Sequence, residues 1–416
     1  MTLNKKTILW WPLLMVGVAS LFYVYEFFLR IIPSSITMEL MRDFQLNAAS
    51  VSVLAACFFY AYAPMQIPAG YLCDLIGPRL AITLAVFTCS IATFWFSQTH
   101  SFSSACLTRL LIGAASSMAF IGPLTLSAQW IPKKYYAFIA GTIQLMGCLG
   151  AIFAGKPVVM LQQAIGWRTM TMYAGGIGII ITILCFIVIR NHTNQKQIKH
   201  HQPMRFKEHC KQLFHNKQVL FIAICGFATW GPIAIFGELW GPSFLISHYH
   251  LPEQQAAGLM KYTWIGVAVG SPAMGWLSDF IQSRKIPLYI CFSMGLISTL
   301  MIVFVQLSPL LLICWLTILG LSAAAQPITF ALMKDHVNPR IIGTATGFQN
   351  MAVITGGVIL QPLTGYILHL TWNHHYLHGI PHYGSEQFQL AFSLMPICAL
   401  IGLAITYRKI QESLTK

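Results

Sequence analysis

The chain has 416 residues, of which 56% are hydrophobic and only 9% are charged, and its formal net charge at pH 7 is +14. A soluble globular protein carries about 25% charged residues, so this chain has too little polar surface to cover itself in water. The composition therefore excludes a soluble domain and indicates an integral membrane protein.

Apolar stretches of about 20 residues recur along the whole chain, and each can cross the ~30 Å hydrocarbon layer as a helix. Helices are expected because backbone N–H and C=O groups in lipid must be paired within the segment. The alternating pattern of a membrane β-barrel is absent. The predicted fold is all-α, with twelve transmembrane helices at residues 9–36, 49–73, 79–98, 103–128, 137–162, 168–190, 218–246, 255–281, 287–306, 309–333, 341–368 and 387–407.

The first predicted helix carries two opposite charges, Glu26 and Arg30, in the stretch YEFFLR. Their i,i+4 spacing puts them on one helix face, next to Tyr23. The two charges can simply neutralise each other. Alternatively, Arg30 binds a substrate anion through its planar guanidinium fork, and Glu26 takes up protons during transport, because burial disfavours an ionised carboxylate.

Six ionisable residues lie within predicted helices and away from the loops, and a charge at the bilayer centre costs about 2.5–3.5 kcal/mol on insertion scales. We expect them to converge on one cavity. They are Glu26, Arg30, Arg109, Lys156, Glu238 and Lys261. Four are positive and two are negative, which favours an anionic or zwitterionic substrate over a cation. Lys156 and Lys261 have a second interpretation, in which they reach out to the membrane interface.

Residues with a predicted role in substrate binding lie in several helices. Arg30 and Lys156 would bind a substrate carboxylate, and Glu238 would accept a substrate ammonium or pair with a lysine. The predicted binding set is Tyr23, Arg30, Lys156, Trp230, Glu238, Gln349 and Asn350. Hydrogen bonds between helices explain Gln349 and Asn350 equally well. Trp230 and Glu238 lie in a seventh helix that Pro232 and Gly237 are expected to break or bend.

Residues 191–217 form a polar, basic stretch that we predict to be a cytoplasmic linker between two six-helix halves, residues 1–190 and 218–416. With a cytoplasmic N-terminus, 19 of the 25 Lys and Arg residues fall on the cytoplasmic side and two on the outside. This asymmetry predicts that both termini are cytoplasmic. It also explains the high net charge without a nucleic-acid partner.

A ten-residue stretch recurs with an offset of 205 residues, as GYLCDLIGPR at residues 70–79 and GWLSDFIQSR at residues 275–284. In each copy an aspartate precedes an arginine at a predicted helix end. Such a pair can bridge helices and hold the two halves together on the cytoplasmic side; a plain topology anchor is the alternative. The residues of these predicted gating loops are Gly70, Asp74, Gly77, Arg79, Gly275, Asp279 and Arg284.

The first of these loops, its echo after the eighth helix and the stretch RLLIG (109–113) in the fourth helix together resemble the major facilitator superfamily. The second loop departs from the pattern, since Gln282 stands where the first has Gly77. The resemblance implies two pseudo-symmetric six-helix bundles, a substrate site between them and alternating access. It also implies a role for Arg109 in proton movement.

Comparison with particular branches of the superfamily narrows the expected substrate. Organophosphate:phosphate exchangers resemble this chain near Arg30 but carry a second arginine in the seventh helix, which GPIAIFGELW lacks. The fifth helix, GTIQLMGCLGAIFAGKP, lacks the G-P-x-x-G-G of drug:proton antiporters, which favours uptake over export. The YEFFLR region is more similar to bacterial nutrient permeases, including amino-acid permeases.

The last outer loop is rich in histidine, and His378 and His382 are spaced to share a helix face as metal ligands. Titration of its histidines near pH ~6.5 would also suit a sensor in an acidic compartment. A solvated polar loop is the simpler interpretation, and we predict no metal and no cofactor. No HExxH, paired catalytic aspartates or nucleophile motif lies in the predicted helices, so we predict no enzyme.

The sequence predicts a monomeric transporter of the inner membrane, with lipids and a small molecule as partners and the proton gradient as its energy source. The expected activity is proton-coupled uptake of an amino acid or organic acid, with Glu26 and Arg109 carrying the coupling. The alternatives are an exporter of a metabolite, drug or siderophore, and a membrane sensor without transport.

Overall fold

The computed structural model describes residues 7–131, 136–191, 212–338, 341–377 and 379–412, and it describes the backbone alone at residues 7–9, 67, 70, 71, 74, 136–138, 342 and 343. Nearly all of this is helix. Within the described ranges the strands are two short ones, β1 (Tyr376–Leu377) and β2 (Ile380–Pro381), which pair antiparallel.

Helices α1 to α9 precede the predicted linker: α1 (Thr7–Ser35), α2 (Thr37–Asp43), α3 (Ala48–Ile76), α4 (Pro78–Ser97), α5 (Phe102–Ser116), α6 (Met118–Trp130), α7 (Tyr136–Phe153), α8 (Lys156–Ile165) and α9 (Trp167–Val188). A π-helix (Ile233–Trp240) and the remaining helices follow it: α10 (Lys217–Pro232), α11 (Gly241–Tyr249), α12 (Glu253–Phe280), α13 (Lys285–Phe304), α14 (Pro309–Ser322), α15 (Ala325–Asp335), α16 (Ile342–Leu370), α17 (Ser385–Phe392) and α18 (Leu394–Arg408).

Eleven helical segments among the described residues are long and apolar enough to cross a membrane. The twelfth segment is α12, which has 28 residues and a length of about 42 Å at 1.5 Å per residue. Polar residues such as Glu253, Lys261 and Asp279 lower its hydropathy. The all-helical, twelve-helix membrane fold is therefore confirmed, and each helical segment ends within a few residues of its predicted bounds.

Several of the predicted helices are interrupted. Ser117 separates α5 from α6, and Gly155 lies between α7 and α8. The seventh predicted helix changes to a π-helix after Pro232 and returns to α-helix at Gly241, and all eight of its π-helical residues are buried. The predicted break in the seventh helix is thus a π-helical stretch that contains Glu238. Local π-helix within an α-helix is frequent at functional sites.

The segments before and after the predicted linker pack against each other along two seams. Helix α3 lies against α16 on one side, and α7 and α8 lie against α12 on the other.

Close packing within the first half depends on Gly113, because a β-carbon there would collide with the backbone carbonyl of Phe58 in α3. Most of the linker (192–211) lies outside the described residues.

Candidate functional site

A cavity of about 470 Å³ lies between the two halves. Its walls are mostly aromatic and small apolar side chains with a few polar groups, as is typical of small-molecule sites. The first half contributes Tyr23, Phe27, Arg30, Tyr62, Phe120 and Gln144, and the second contributes Trp230, Ser271, Gln326, Phe330, Asn350 and Val353.

The cavity extends toward one end of the bundle. Its lining includes Gly141, near the start of α7, and Gly275 and Phe330, near the ends of α12 and α15. These helix ends lie on the same side of the bundle as the end of α9 and the start of α10, which flank the predicted linker. We call this end the linker face, and we call the end that carries residues 36–47, 166, 371–377 and 379–384 the far face.

Direct contacts between the halves close the cavity on its far-face side. The rings of Phe27 and Trp264 meet edge to face, with centroids 5.8 Å apart. Trp240 donates its indole N–H to Ser52 Oγ at 2.9 Å. Nearer the far face, the hydroxyl of Tyr383 accepts a hydrogen bond of 2.9 Å from the backbone N–H of Ala48. The structure is thus open to the linker face and closed to the far face.

A buried cluster of three charges, the Arg30 triad, lies where the cavity narrows. Arg30 donates to Glu26 Oε1 from Nε at 2.9 Å and from Nη2 at 2.6 Å. Its Nη1 lies 3.4 Å from Oε1 of Glu238, which comes from the other half and also accepts the indole N–H of Trp230 at 3.1 Å. All three charged residues are at most 5% exposed. One arginine thus faces two carboxyl groups, one strongly held and one at the limit of hydrogen bonding.

Aromatic rings surround the guanidinium group of Arg30. Its central carbon lies 4.3 Å from the ring centroid of Phe27 and 5.0 Å from that of Tyr62. These rings stabilise the cation away from water, and Arg30 still lines the cavity. In the described residues, Oε2 of Glu26 and Oε2 of Glu238 have no hydrogen-bond partner.

Arg109, predicted from the fourth-helix motif, is buried beside the triad but bonds to backbone. Its Nη1 donates to the carbonyl oxygen of Leu29 at 2.7 Å, and its Nη2 lies 3.4 Å from the carbonyl oxygen of Arg30. No ion pair links Arg109 to a carboxylate among the described residues. Its contacts fix the backbone of α1 next to Arg30, and proton coupling through Arg109 stays a prediction.

Several predicted binding residues do line the cavity. Tyr23 donates its hydroxyl to Gln144 Oε1 at 3.2 Å, and Asn350 donates to Gln66 Oε1 at 2.9 Å across the seam of α3 and α16. Trp230 lines the wall from α10. Sequence reasoning missed Gln144, a lone amide in the apolar stretch GTIQLMG, whose isolation within a membrane helix was the available signal.

Other predicted residues lie elsewhere. Gln349 is buried and donates to Thr329 Oγ1 at 2.8 Å, outside the cavity lining, as a hydrogen bond between helices. Lys156 and Lys261 are exposed and line a separate groove on the outer flank. The expectation that all six charges converge on one cavity is therefore wrong. Arg30 lines the cavity, Glu26, Glu238 and Arg109 are buried beside Arg30, and the two lysines lie elsewhere, so the placement of Lys156 at the central site is wrong as well. Their long apolar stems carry the ammonium groups outward.

The arginines of the predicted gating loops contact residues of their own half in this state. Arg284 pairs with Asp279 at 2.7 Å and lies 3.6 Å from Asp335, and all three belong to the second half. Arg79 donates to the carbonyl oxygen of Phe186 at 3.0 Å. The side chain of Asp74 lies outside the described residues. A latch between the halves stays a prediction, and none is expected to be closed while the linker face is open.

The histidine-rich loop lies at the far face, and His378 is outside the described residues. The rings of His375 and His382 are 5.8 Å apart. Burial lowers the pKa of His382, and neighbouring His375 lowers it further, so His382 is neutral over more of the pH range than an ordinary histidine. No group of three metal-ligating side chains converges within the described ranges.

Comparison with known proteins places the chain among membrane transporters. A family model described as the Major Facilitator Superfamily matches residues 15–362 and 259–414. The D-galactonate transporter of Escherichia coli O6:H1 is 22% identical over 362 residues, which cover 79% of this chain and 83% of the relative. The hexuronate transporter of Bacillus subtilis is 26% identical over 354 residues, with 79% and 81% covered.

Two further similarities are to another curated transporter and to a solved structure. The nitrite extrusion protein of Bacillus subtilis is 24% identical over 274 residues, which cover 65% of this chain and 66% of the relative. Among solved structures, a bacterial homolog of the human lysosomal transporter Spinster, in an inward-facing and occupied conformation, superimposes with a TM-score of 0.74 at 17% identity, covering 94% of this chain and 95% of that one.

Proposed function

The chain belongs to the Major Facilitator Superfamily, and we propose that it carries a small organic acid across the membrane as the anion, by alternating access. The observation on which this proposal rests is Arg30, a buried guanidinium group that lines a cavity between the two halves. Relatives named for galactonate and hexuronate support the substrate class. The cavity volume of about 470 Å³ suits a molecule of that size.

The binding step that we propose is an exchange of carboxylates on Arg30. Glu26 holds the Nε and Nη2 groups at 2.9 and 2.6 Å, whereas Glu238 lies 3.4 Å from Nη1. A substrate carboxylate arriving through the cavity displaces the weaker partner, Glu238, and takes the Nη1 edge. Charged hydrogen bonds are normally shorter than this 3.4 Å contact and are stronger in a buried site, so a substrate carboxylate at Nη1 can bind Arg30 more tightly than Glu238 does.

Amino acids are the second substrate class. Their ammonium group would need an acceptor, and the predicted one, Glu238, is 2% exposed and absent from the cavity lining in this state. Its Oε2 atom has no hydrogen-bond partner among the described residues, so a rearrangement could offer it to a ligand. The present geometry favours an organic acid without an amino group.

Proton coupling belongs to the same proposal. Glu26 is fully buried and its Oε2 atom is unpaired within the described residues, which is costly for an ionised carboxylate. A proton bound to Glu26 would remove that cost and loosen its hold on Arg30. We place the linker face in the cytoplasm of a cell with an inner membrane, on the positive-charge asymmetry of the loops. Inward transport then follows the proton gradient.

The test is transport by purified protein in proteoliposomes, with radiolabelled galactonate and glucuronate as first substrates. The proposal predicts accumulation driven by an imposed proton gradient and abolished by a proton ionophore. Export of preloaded substrate against its concentration gradient would instead support an exporter. This alternative is tested because one relative is named as an extrusion protein. Saturable binding without flux would support a sensor.

A further inference from the structure

The groove on the outer flank of the molecule is a second site that the transport cycle does not account for. It has a volume of about 590 Å³ and lies between α7–α8 of the first half and α12 of the second. Lys156 and Lys261 both line it, and both also line a smaller depression beside it. We propose that this groove binds one anionic phospholipid, with its phosphate between the two lysines.

The charge of the groove supports an anionic occupant. Each half contributes one lysine, and the side chain of Lys156 lies over Gly258, where a β-carbon would be 3.5 Å from its Cδ atom. Neither lysine forms an ion pair within the described part of the chain, and no carboxylate lines the groove or its neighbour. The Lys261 ammonium group lies 4.9 Å from the ring centroid of Tyr262, a contact that leaves its charge without a counter-ion. Two such ammonium groups on one seam repel each other, whereas an anion held between them attracts both.

The surroundings identify the anion as part of a lipid. The groove wall includes Phe153, Met160 and Leu161, which are 55%, 51% and 43% exposed. Such large apolar side chains on the flank of a membrane protein face acyl chains. Lys156 and Lys261 lie about 14 and 12 Å inside the far-face ends of α8 and α12, at 1.5 Å per residue. A lysine facing lipid at this depth is costly alone, and basic pockets between membrane helices bind anionic lipid headgroups.

The position of the groove gives the lipid a consequence for conformation. It straddles the seam at which Glu253 of the second half accepts hydrogen bonds from Gln162 at 3.2 Å and Gln163 at 2.8 Å. A lipid held by one lysine from each half therefore favours the state in which the far face is closed. This consequence rests on the proposed alternating access, whereas lipid binding itself does not.

Native mass spectrometry of the full chain in detergent, titrated with phosphatidylglycerol, tests the binding. The wild type should bind one lipid saturably, and Lys156→Gln/Lys261→Gln should bind at least tenfold more weakly while keeping its melting temperature. Lys217→Gln/Lys334→Gln, which removes two exposed lysines at the linker face, should bind like the wild type. Equal binding by the first double variant, or equal binding of phosphatidylcholine, would overturn the proposal.

Two other outcomes also reject a lipid. Inorganic phosphate that competes fully at the same concentration would show a site for free anions. A two-chain species that is lost in Lys156→Gln/Lys261→Gln would show an interface between copies. For the conformational consequence, spin labels introduced as non-natural amino acids at the exposed positions Gln98 and Ser308 should lie closer together in phosphatidylglycerol nanodiscs than in phosphatidylcholine nanodiscs. If lipid binds but these distances do not differ, the lipid site stands and its effect on alternating access is wrong.

Discussion

Arg109 donates a hydrogen bond of 2.7 Å to the carbonyl oxygen of Leu29, to which Pro33, four residues later, has no N–H to donate. Proline has no N–H, so the carbonyl group four residues before it loses its helical donor. The guanidinium group in α5 replaces that donor and fixes α1 one residue before Arg30. The arginine of the fourth-helix motif thus has a structural role that its sequence context did not reveal.

Replacing Arg109 by methionine should destabilise the protein. A buried acceptor left without a donor costs about 1–3 kcal/mol, and the methionine keeps most of the apolar contact with Phe58, whose ring centroid lies 5.2 Å from the arginine's central carbon. The measurement is the thermal unfolding midpoint in detergent. Arg109→Lys should recover part of the loss, since its ammonium group can donate to a carbonyl oxygen. Unchanged stability in Arg109→Met would show that Leu29 does not depend on this bond.

Replacing Glu238 by glutamine should tighten the binding of an organic acid. Glu238 competes with the substrate for Nη1 of Arg30, and the neutral amide competes less. We expect a dissociation constant up to about tenfold lower, equivalent to 1.4 kcal/mol, by isothermal titration of the purified protein. Weaker binding in Glu238→Gln, seen only with amino acids, would instead support the role of ammonium acceptor that the sequence suggested.

Replacing Glu26 by glutamine should separate transport from the proton gradient. The amide keeps the shape of the side chain and a hydrogen bond to Arg30 but cannot bind and release a proton. Exchange of internal for external substrate should persist, while accumulation driven by a proton gradient should disappear. Glu39→Gln, a carboxylate outside the triad in α2, is the matched control. Gradient-driven accumulation by Glu26→Gln at the wild-type rate would remove Glu26 from proton coupling.

Replacing Gly113 by alanine should weaken the packing of α5 on α3. The added methyl group meets the carbonyl oxygen of Phe58, which belongs to a rigid helix backbone and cannot yield as a side chain would. Overpacking of this kind costs about 1–3 kcal/mol, measurable as a lower unfolding midpoint. Gly176→Ala in α9 is the control, since no other atom lies within 4 Å of a β-carbon there. Equal midpoints for the two variants would contradict this account of Gly113 in the RLLIG stretch.

The sequence predicted the fold well because hydrophobic length is a strong signal in a membrane protein. The helix bounds and the buried pair of Glu26 and Arg30 follow from the same rule, that hydrocarbon tolerates neither unpaired backbone nor unpaired charge. Side-chain reach was not predictable. Lys156 and Glu238 look alike as charges within spans, but a lysine stem can turn outward to lipid while the π-helical stretch keeps Glu238 inside. The partner of Arg109 was not predictable either, because every residue has a backbone carbonyl group and the sequence does not show which one accepts a hydrogen bond from a side chain.

Ligand binding to Arg30 variants tests the central claim most directly, that this side chain is the docking point for the substrate carboxylate. Arg30→Lys keeps the charge but loses the fork, and Glu26→Gln/Arg30→Gln removes both charges without leaving Glu26 unpaired. In a thermal-shift titration with sugar acids, the wild type should be stabilised saturably, whereas both variants, shown to be folded by their own melting curves, should lose at least tenfold in affinity. The corresponding neutral sugars should have no effect on any of them. Sugar-acid binding that is unchanged in both folded variants would contradict the account.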